Sequence, residues 1–204
     1  MEKTRQFFFK QQPKVTVCES GRIMVCLNEE VKETVVGMAA NDGNEKVLEQ
    51  VGTTKMYYYD VYWIESSEAA IMPDVDAEAL ALKAAKAEIL AEITAYDASS
   101  AVNIFTINGK KAWLDKATRV GLQNSVTILK DSGRDKMLLW VEDVSVETNC
   151  DKVLQFLSEL EIYAVGCFNA TSEHRQAVNE LDDIGEVLDY DYKSGYPKVL
   201  DVIL

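Results

Sequence analysis

The sequence predicts an α+β protein of two lobes: a small antiparallel β lobe, a helical spacer, then β-hairpins packed on helices. Three observations carry this. Residues 1–65 are rich in β-branched and aromatic residues in short runs separated by turn residues. Residues 77–97 are Ala-, Leu-, Glu- and Lys-rich, all strong helix formers. Residues 101–204 alternate hairpin signals with longer helical periodicity. The expected division is 1–70, 71–100 and 101–204.

In the first lobe, Lys14–Cys18 and Arg22–Leu27 flank Ser20-Gly21, a short hairpin signal. Asn41-Asp42-Gly43-Asn44 is a turn cluster. Lys46–Val51 and Lys55–Ile64 then flank Gly52-Thr53, read as a second hairpin. Residues 66–75, with Pro73 and Asp74, read as a linker, and Asp74 or Asp76 can cap the helix that follows. On that helix Leu82, Ala85, Ile89, Ile93 and Tyr96 form a narrow stripe, suited equally to a spacer or coiled coil and to a plain surface helix.

Asn108-Gly109 between Val102–Ile107 and Lys110–Leu114 is the strongest hairpin signal, because a type I′ turn needs positive φ at both central residues. Asp115 caps a helix to about Lys130, which Ser132-Gly133 ends. Lys136–Val141 and Val144–Glu147 form another hairpin around Glu142-Asp143. Asn149 opens the longest helix, whose stripe is Val153, Leu157, Leu160, Ala164, Cys167, Thr171, His174, Val178 and Leu181. Leu154, Phe156, Tyr163 and Phe168 widen that face, with a break expected near Gly166–Asn169. Asp183 caps a short last helix.

The 204 residues carry 21 Lys+Arg and 34 Asp+Glu, a net charge of −13. That sign opposes nonspecific binding to nucleic acid or to an anionic membrane, so neither is expected as a partner. There is no run of about 18 apolar residues to span a bilayer. Phe7-Phe8-Phe9 is too short for a signal-peptide core, so cytosolic synthesis is expected. The charge is uneven: residues 101–141 sum to +4 and residues 142–191 to −11. Such bipolarity serves a solvated acidic face, head-to-tail association or an oppositely charged partner.

No motif points to chemistry. Cys18, Cys26, Cys150 and Cys167 lack metal-ligand spacing and His174 is the single histidine, so no metal or cofactor is expected. Cys18 and Cys26 could meet across a hairpin, but in a reducing cytosol they read as small apolar fillers. His174 lies on the helix stripe and reads as a hydrogen-bonded boundary residue. The acidic pairs Glu29-Glu30, Asp182-Asp183 and Asp189 with Asp191 could serve a carboxylate-based glycosidase, but close pairs arise by chance in so acidic a chain. The strongest binding candidate is the aromatic run Tyr57, Tyr58, Tyr59, Tyr62 and Trp63. Its alternation places Tyr57 and Tyr59 on one face and Tyr58 and Tyr62 on the other.

In the second lobe, Phe105-Thr106-Ile107-Asn108-Gly109-Lys110-Lys111-Ala112-Trp113-Leu114-Asp115, Thr118-Arg119 and Leu138-Leu139-Trp140 are joined by three later segments. These are Leu160–Ala164, Asn169-Ala170-Thr171 with His174, and Tyr190–Pro197. Together they resemble a domain of unknown function found in tail-fibre and tail-associated proteins of phages and prophages, notably Bacteroides-type gut phages. The resemblance covers about residues 101–204. It implies a non-catalytic structural or adaptor protein of a phage tail or tail fibre, acting through protein–protein contacts and made in the bacterial cytoplasm, with a place in the virion. Its expected partners are tail or fibre proteins, or further copies of itself. The alternative is a tail-fibre assembly chaperone not retained in the particle; a further one is the glycosidase, acting on host-surface polysaccharide. Trp113, Trp140, Tyr163, Tyr190 and Tyr196 read as packing anchors.

Overall fold

The computed structural model describes residues 3–18, 21–42, 45–66 and 76–204. The fold is α+β. The expected linker 66–75 lies outside the described residues except for Ser66, as do Ser20, Gly43, Asn44 and Asp74. Contacts divide the chain into two units: Met1–Ile89 with Leu181–Asp189, and Leu90–Glu180 with Tyr190–Leu204.

The first unit is built on a four-stranded antiparallel sheet in the order β1-β4-β3-β2. Its strands are β1 (Lys3–Phe8), β2 (Val15–Val17), β3 (Arg22–Asp42) and β4 (Glu45–Glu65). β2 and β3 form the expected first hairpin, with Gly21 at φ 79°. The expected second hairpin at Gly52-Thr53 is not there. β3 and β4 are partners along their whole length, from Arg22 opposite Glu65 to Asp42 opposite Glu45, so the chain reverses direction between Asp42 and Glu45. Gly52 lies inside β4, opposite Val36, beside a register shift. A glycine within a strand marks a bulge as readily as a turn, and here it marks the bulge.

A second register shift falls between Leu27 and Glu30. Asn28 adopts φ 54° there, a conformation asparagine tolerates better than most residues. The extra residue redirects two side chains: the Asn28 amide donates to Asp60 at 2.8 Å, and Glu29 accepts from the Tyr59 hydroxyl at 2.6 Å.

α1 (Ala77–Asp97) starts at Asp76, whose carboxylate accepts from the amides of Glu78 and Ala79. Its buried stripe is Ala81, Ala85, Ile89 and Ile93, with Leu82 only half-buried. The unit boundary falls within this helix, after Ile89.

In the second unit, β5 (Phe105–Ile107) and β6 (Lys110–Ala112) turn through Asn108 (φ 49°) and Gly109 (φ 77°), both positive as a type I′ turn requires. β9 (Asp201–Val202) adds to β5 in parallel. α2 (Lys116–Asp131) is capped by Asp115, which accepts from the Thr118 amide at 2.8 Å, and it ends before Gly133 at φ 79°. β7 (Lys136–Val141) and β8 (Val144–Asn149) form a two-stranded sheet.

α3 (Cys150–Glu180) runs unbroken for 31 residues. The expected interruption is absent, and Gly166 serves packing instead: a Cβ there would lie 2.8 Å from the Pro197 ring. Phe168, expected to face the core, is exposed, because it follows buried Cys167 by about 100° of helical turn. The core gathers Phe105, Ile107, Val126, Leu139, Phe156 and Leu160 around α3. α4 (Ile184–Leu188), capped by Asp183, belongs to the first unit.

Candidate functional site

Alternation along β4 distributes the aromatic run to both sheet faces. Tyr57, Tyr59, Val61 and Trp63 share one face with Phe8, Met24 and Cys26, and together they make a small core. Tyr59 is buried there; besides donating to Glu29, its hydroxyl accepts from the Gln12 amide at 3.1 Å. Burial raises the Tyr59 phenol above its usual range. On the opposite face Tyr62 is also buried and donates to Asp189 at 2.8 Å. Trp63 is half-buried, with the Arg22 guanidinium 4.9 Å from its ring centre. Tyr59 and Tyr62 are therefore committed to packing, which leaves Tyr57, Tyr58 and Trp63 with partly open surface.

The open aromatic surface centres on Tyr58. Phe7 stands opposite it across the β1–β4 ladder, ring centres 6.0 Å apart, and Phe9 adds an edge contact to Phe7 at 5.9 Å. Phe7 is 52% exposed and Phe9 69%. The Lys32 ammonium lies 4.9 Å from the Tyr58 ring centre. Beside this cluster Arg5 bridges Asp60 and Glu30, each at 2.9 Å. The Asn28 amide, with Arg5 and Lys3, holds the Asp60 carboxyl below its ordinary range. Aromatic rings rimmed by charged pairs give a surface with apolar area and fixed polarity, suited to protein contact. Phe7 and Phe9 belong to this surface and were not among the sequence candidates; their signal was alternation through β1.

Each acidic pair has at least one member held by a structural partner. Glu29 receives Tyr59 and Gln11, and Glu30 receives Arg5 and Lys32. Asp183 caps α4 and pairs with Lys14 at 3.0 Å. Asp189 receives Tyr62 and Lys3, and Asp191 accepts from the Lys193 amide. Among the described residues no group of three or more His, Cys, Asp or Glu could hold a metal. The four cysteines are free thiols.

In the second unit His174 is held at both ring nitrogens, Nδ1 by the Tyr190 hydroxyl and Nε2 by the Ser194 carbonyl, each at 2.9 Å. The carbonyl can only accept, so Nε2 carries a proton; in the neutral ring Nδ1 then accepts from Tyr190. Thr171, buried one turn earlier on α3, donates to Asp97 at 2.8 Å and lies 2.9 Å from the Tyr196 hydroxyl. These residues fasten residues 190–197 to α3.

Of the expected anchors, Tyr163 is buried and Trp113, Tyr190 and Tyr196 are half-buried, but Trp140 is 61% exposed. The period of two along β7 turns Leu139 and Val141 inward, and so turns Leu138 and Trp140 out.

Between α2 and α3 a shallow groove is lined by Lys116, Arg119, Glu161, Val165 and Phe168. Among the described residues no helix is long and apolar enough to cross a membrane. The chain matches no known family model, curated protein or solved structure.

Proposed function

We propose that this protein is a non-catalytic structural or adaptor component of a phage or prophage tail or tail fibre, working through protein–protein contacts. The observation that carries the reading is that each unit presents its own open apolar surface with aromatic rings in it. These are Phe7, Phe9 and Tyr58 in the first unit, and Leu138 and Trp140 in the second. Single exposed apolar residues are ordinary, but neighbouring large ones on one sheet face are what binding surfaces use. The resemblance of residues 101–204 to a tail-associated domain supplies the context.

Quantitative mass spectrometry of purified phage or induced prophage particles from the source strain tests this. The expected result is the chain at a fixed copy number per particle. Absence from particles despite expression in the lysate refutes a retained component. Copurification with nascent fibres alone would then identify an assembly chaperone.

A further inference from the structure

We propose that the free edge of β7 is a self-association surface, on which a second copy of this chain adds its own β7 antiparallel about a twofold axis at Leu138. The inference concerns the second unit alone and does not rest on the tail reading.

The backbone of β7 sets the geometry. β7 and β8 form a sheet of only two strands, closed by the two-residue loop Glu142-Asp143. The Cys150 amide donates to the Asp135 carbonyl at 2.8 Å, which continues the ladder one step beyond Lys136 opposite Asn149. In an antiparallel pair, inward and outward backbone groups alternate residue by residue. Asp135, Met137, Leu139 and Val141 therefore direct their amides and carbonyls to β8. Lys136, Leu138 and Trp140 direct theirs to the open edge. Among the described residues no hydrogen bond ends on these three backbones. Their side chains share the outer face, where Leu138 is 55% exposed.

Such an edge is a template for another strand unless it is blunted by charge, a bulge or proline. β7 has no bulge and no proline, and its outer face carries one charge, Lys136, beside two large apolar residues.

Charge complementarity selects a second copy as the occupant. Antiparallel pairing centred on Leu138 places Leu138 against Leu138 of the other copy. It places Lys136 against Trp140, a cation over an indole, and it does so twice. The outward backbone groups of residues 136, 138 and 140 meet their counterparts in register, so every one gains a partner. The product is one continuous sheet in the order β8-β7-β7-β8, an isologous arrangement in which the same patch serves both copies.

Sedimentation velocity of the full chain, from about 1 to 100 µM, tests the proposal. The expected species at the upper end has twice the chain mass. Leu138→Lys sets two ammonium groups against each other at the axis and is expected to weaken association at least about tenfold. Its thermal unfolding should stay that of the parent, because the side chain is exposed. Lys136→Glu takes the cation from both indoles and should also weaken association. A chain that stays monomeric at about 100 µM overturns the proposal. So does a dimer indifferent to Leu138→Lys. A dimer that Leu138→Lys weakens but Lys136→Glu leaves unchanged overturns the register.

Discussion

Arg119 is the buried cation of the second unit, and replacing it tests how that unit joins α2 to its surroundings. The residue is 7% exposed. Its Nη1 donates to the Leu114 carbonyl at 2.7 Å in a buried setting, and its Nε donates to Glu161 at 2.8 Å. The guanidinium carbon lies 5.7 Å from the Trp113 ring centre. Arg119→Met keeps much of the volume and removes every polar contact. The bond to Leu114 is charge-assisted, and losing it strips a buried carbonyl of its donor, at a cost of about 1.5–3 kcal/mol. Glu161 is 44% exposed, so water recovers most of what the ion pair supplied, and that pair contributes only about 0.2–1 kcal/mol. The ring contact adds about 0.5–1 kcal/mol. Relief from desolvating a cation offsets part of this. The net expected loss is about 2–3 kcal/mol, read as a fall of about 4–12 °C in the melting temperature for a chain this long. Urea denaturation of Arg119→Met and Glu161→Gln, with the double variant closing the cycle, measures each part. Glu161→Gln should cost less than about 1 kcal/mol. If Arg119→Met stays within about 0.5 kcal/mol of the parent, or if Glu161→Gln costs as much, the carbonyl contact is not what makes Arg119 matter.

Three further outcomes are expected. Gly166→Ala, normally favourable in a helix by about 0.5–1 kcal/mol, should destabilise, because the new methyl meets the Pro197 ring at 2.8 Å; calorimetry checks the sign, and adding Pro197→Ala should recover the loss. Asp60 has a folded-state pKa depressed below 3.8 by Asn28, Arg5 and Lys3, so the unfolded chain binds its proton first as pH falls. Its contribution is present above about pH 4 and lost as pH falls through the lower folded value, so Asp60→Asn should flatten the acid limb of a urea-midpoint profile below about pH 4. Tyr59→Phe deletes a hydroxyl held by Glu29 and the Gln12 amide and should cost about 1 kcal/mol in chemical denaturation; Tyr58→Phe, whose hydroxyl among the described residues approaches only the Met56 sulfur at 4.0 Å, should leave the midpoint unchanged.

Much of this fold was legible residue by residue, where local chemistry has one solution. Asn108-Gly109 supplies two positive φ angles cheaply, Asp115 and Asp183 cap because their carboxylates reach the next turn's amides, and the alternation in β4 sorts the tyrosines by face. The errors share another cause. Gly52 is compatible with a turn and with a bulge, and pairing across all of β3 and β4 selected the bulge. Gly166 is compatible with a helix break and with close packing, and Pro197, distant in sequence, selected packing.

The aromatic surface shows the same boundary. Period-two alternation assigns Tyr58 and Tyr62 to one face, and nothing local distinguishes them. Asp189 covers Tyr62, while Phe7 and Lys32 leave Tyr58 partly open. Trp140 was read as a packing anchor, yet a two-stranded sheet offers it one side only, and Leu139 and Val141 occupy that side. Caps, turns and periodicity act over a few residues and can be read along the chain. Burial is set by whatever arrives from far away in sequence, and that required the folded structure.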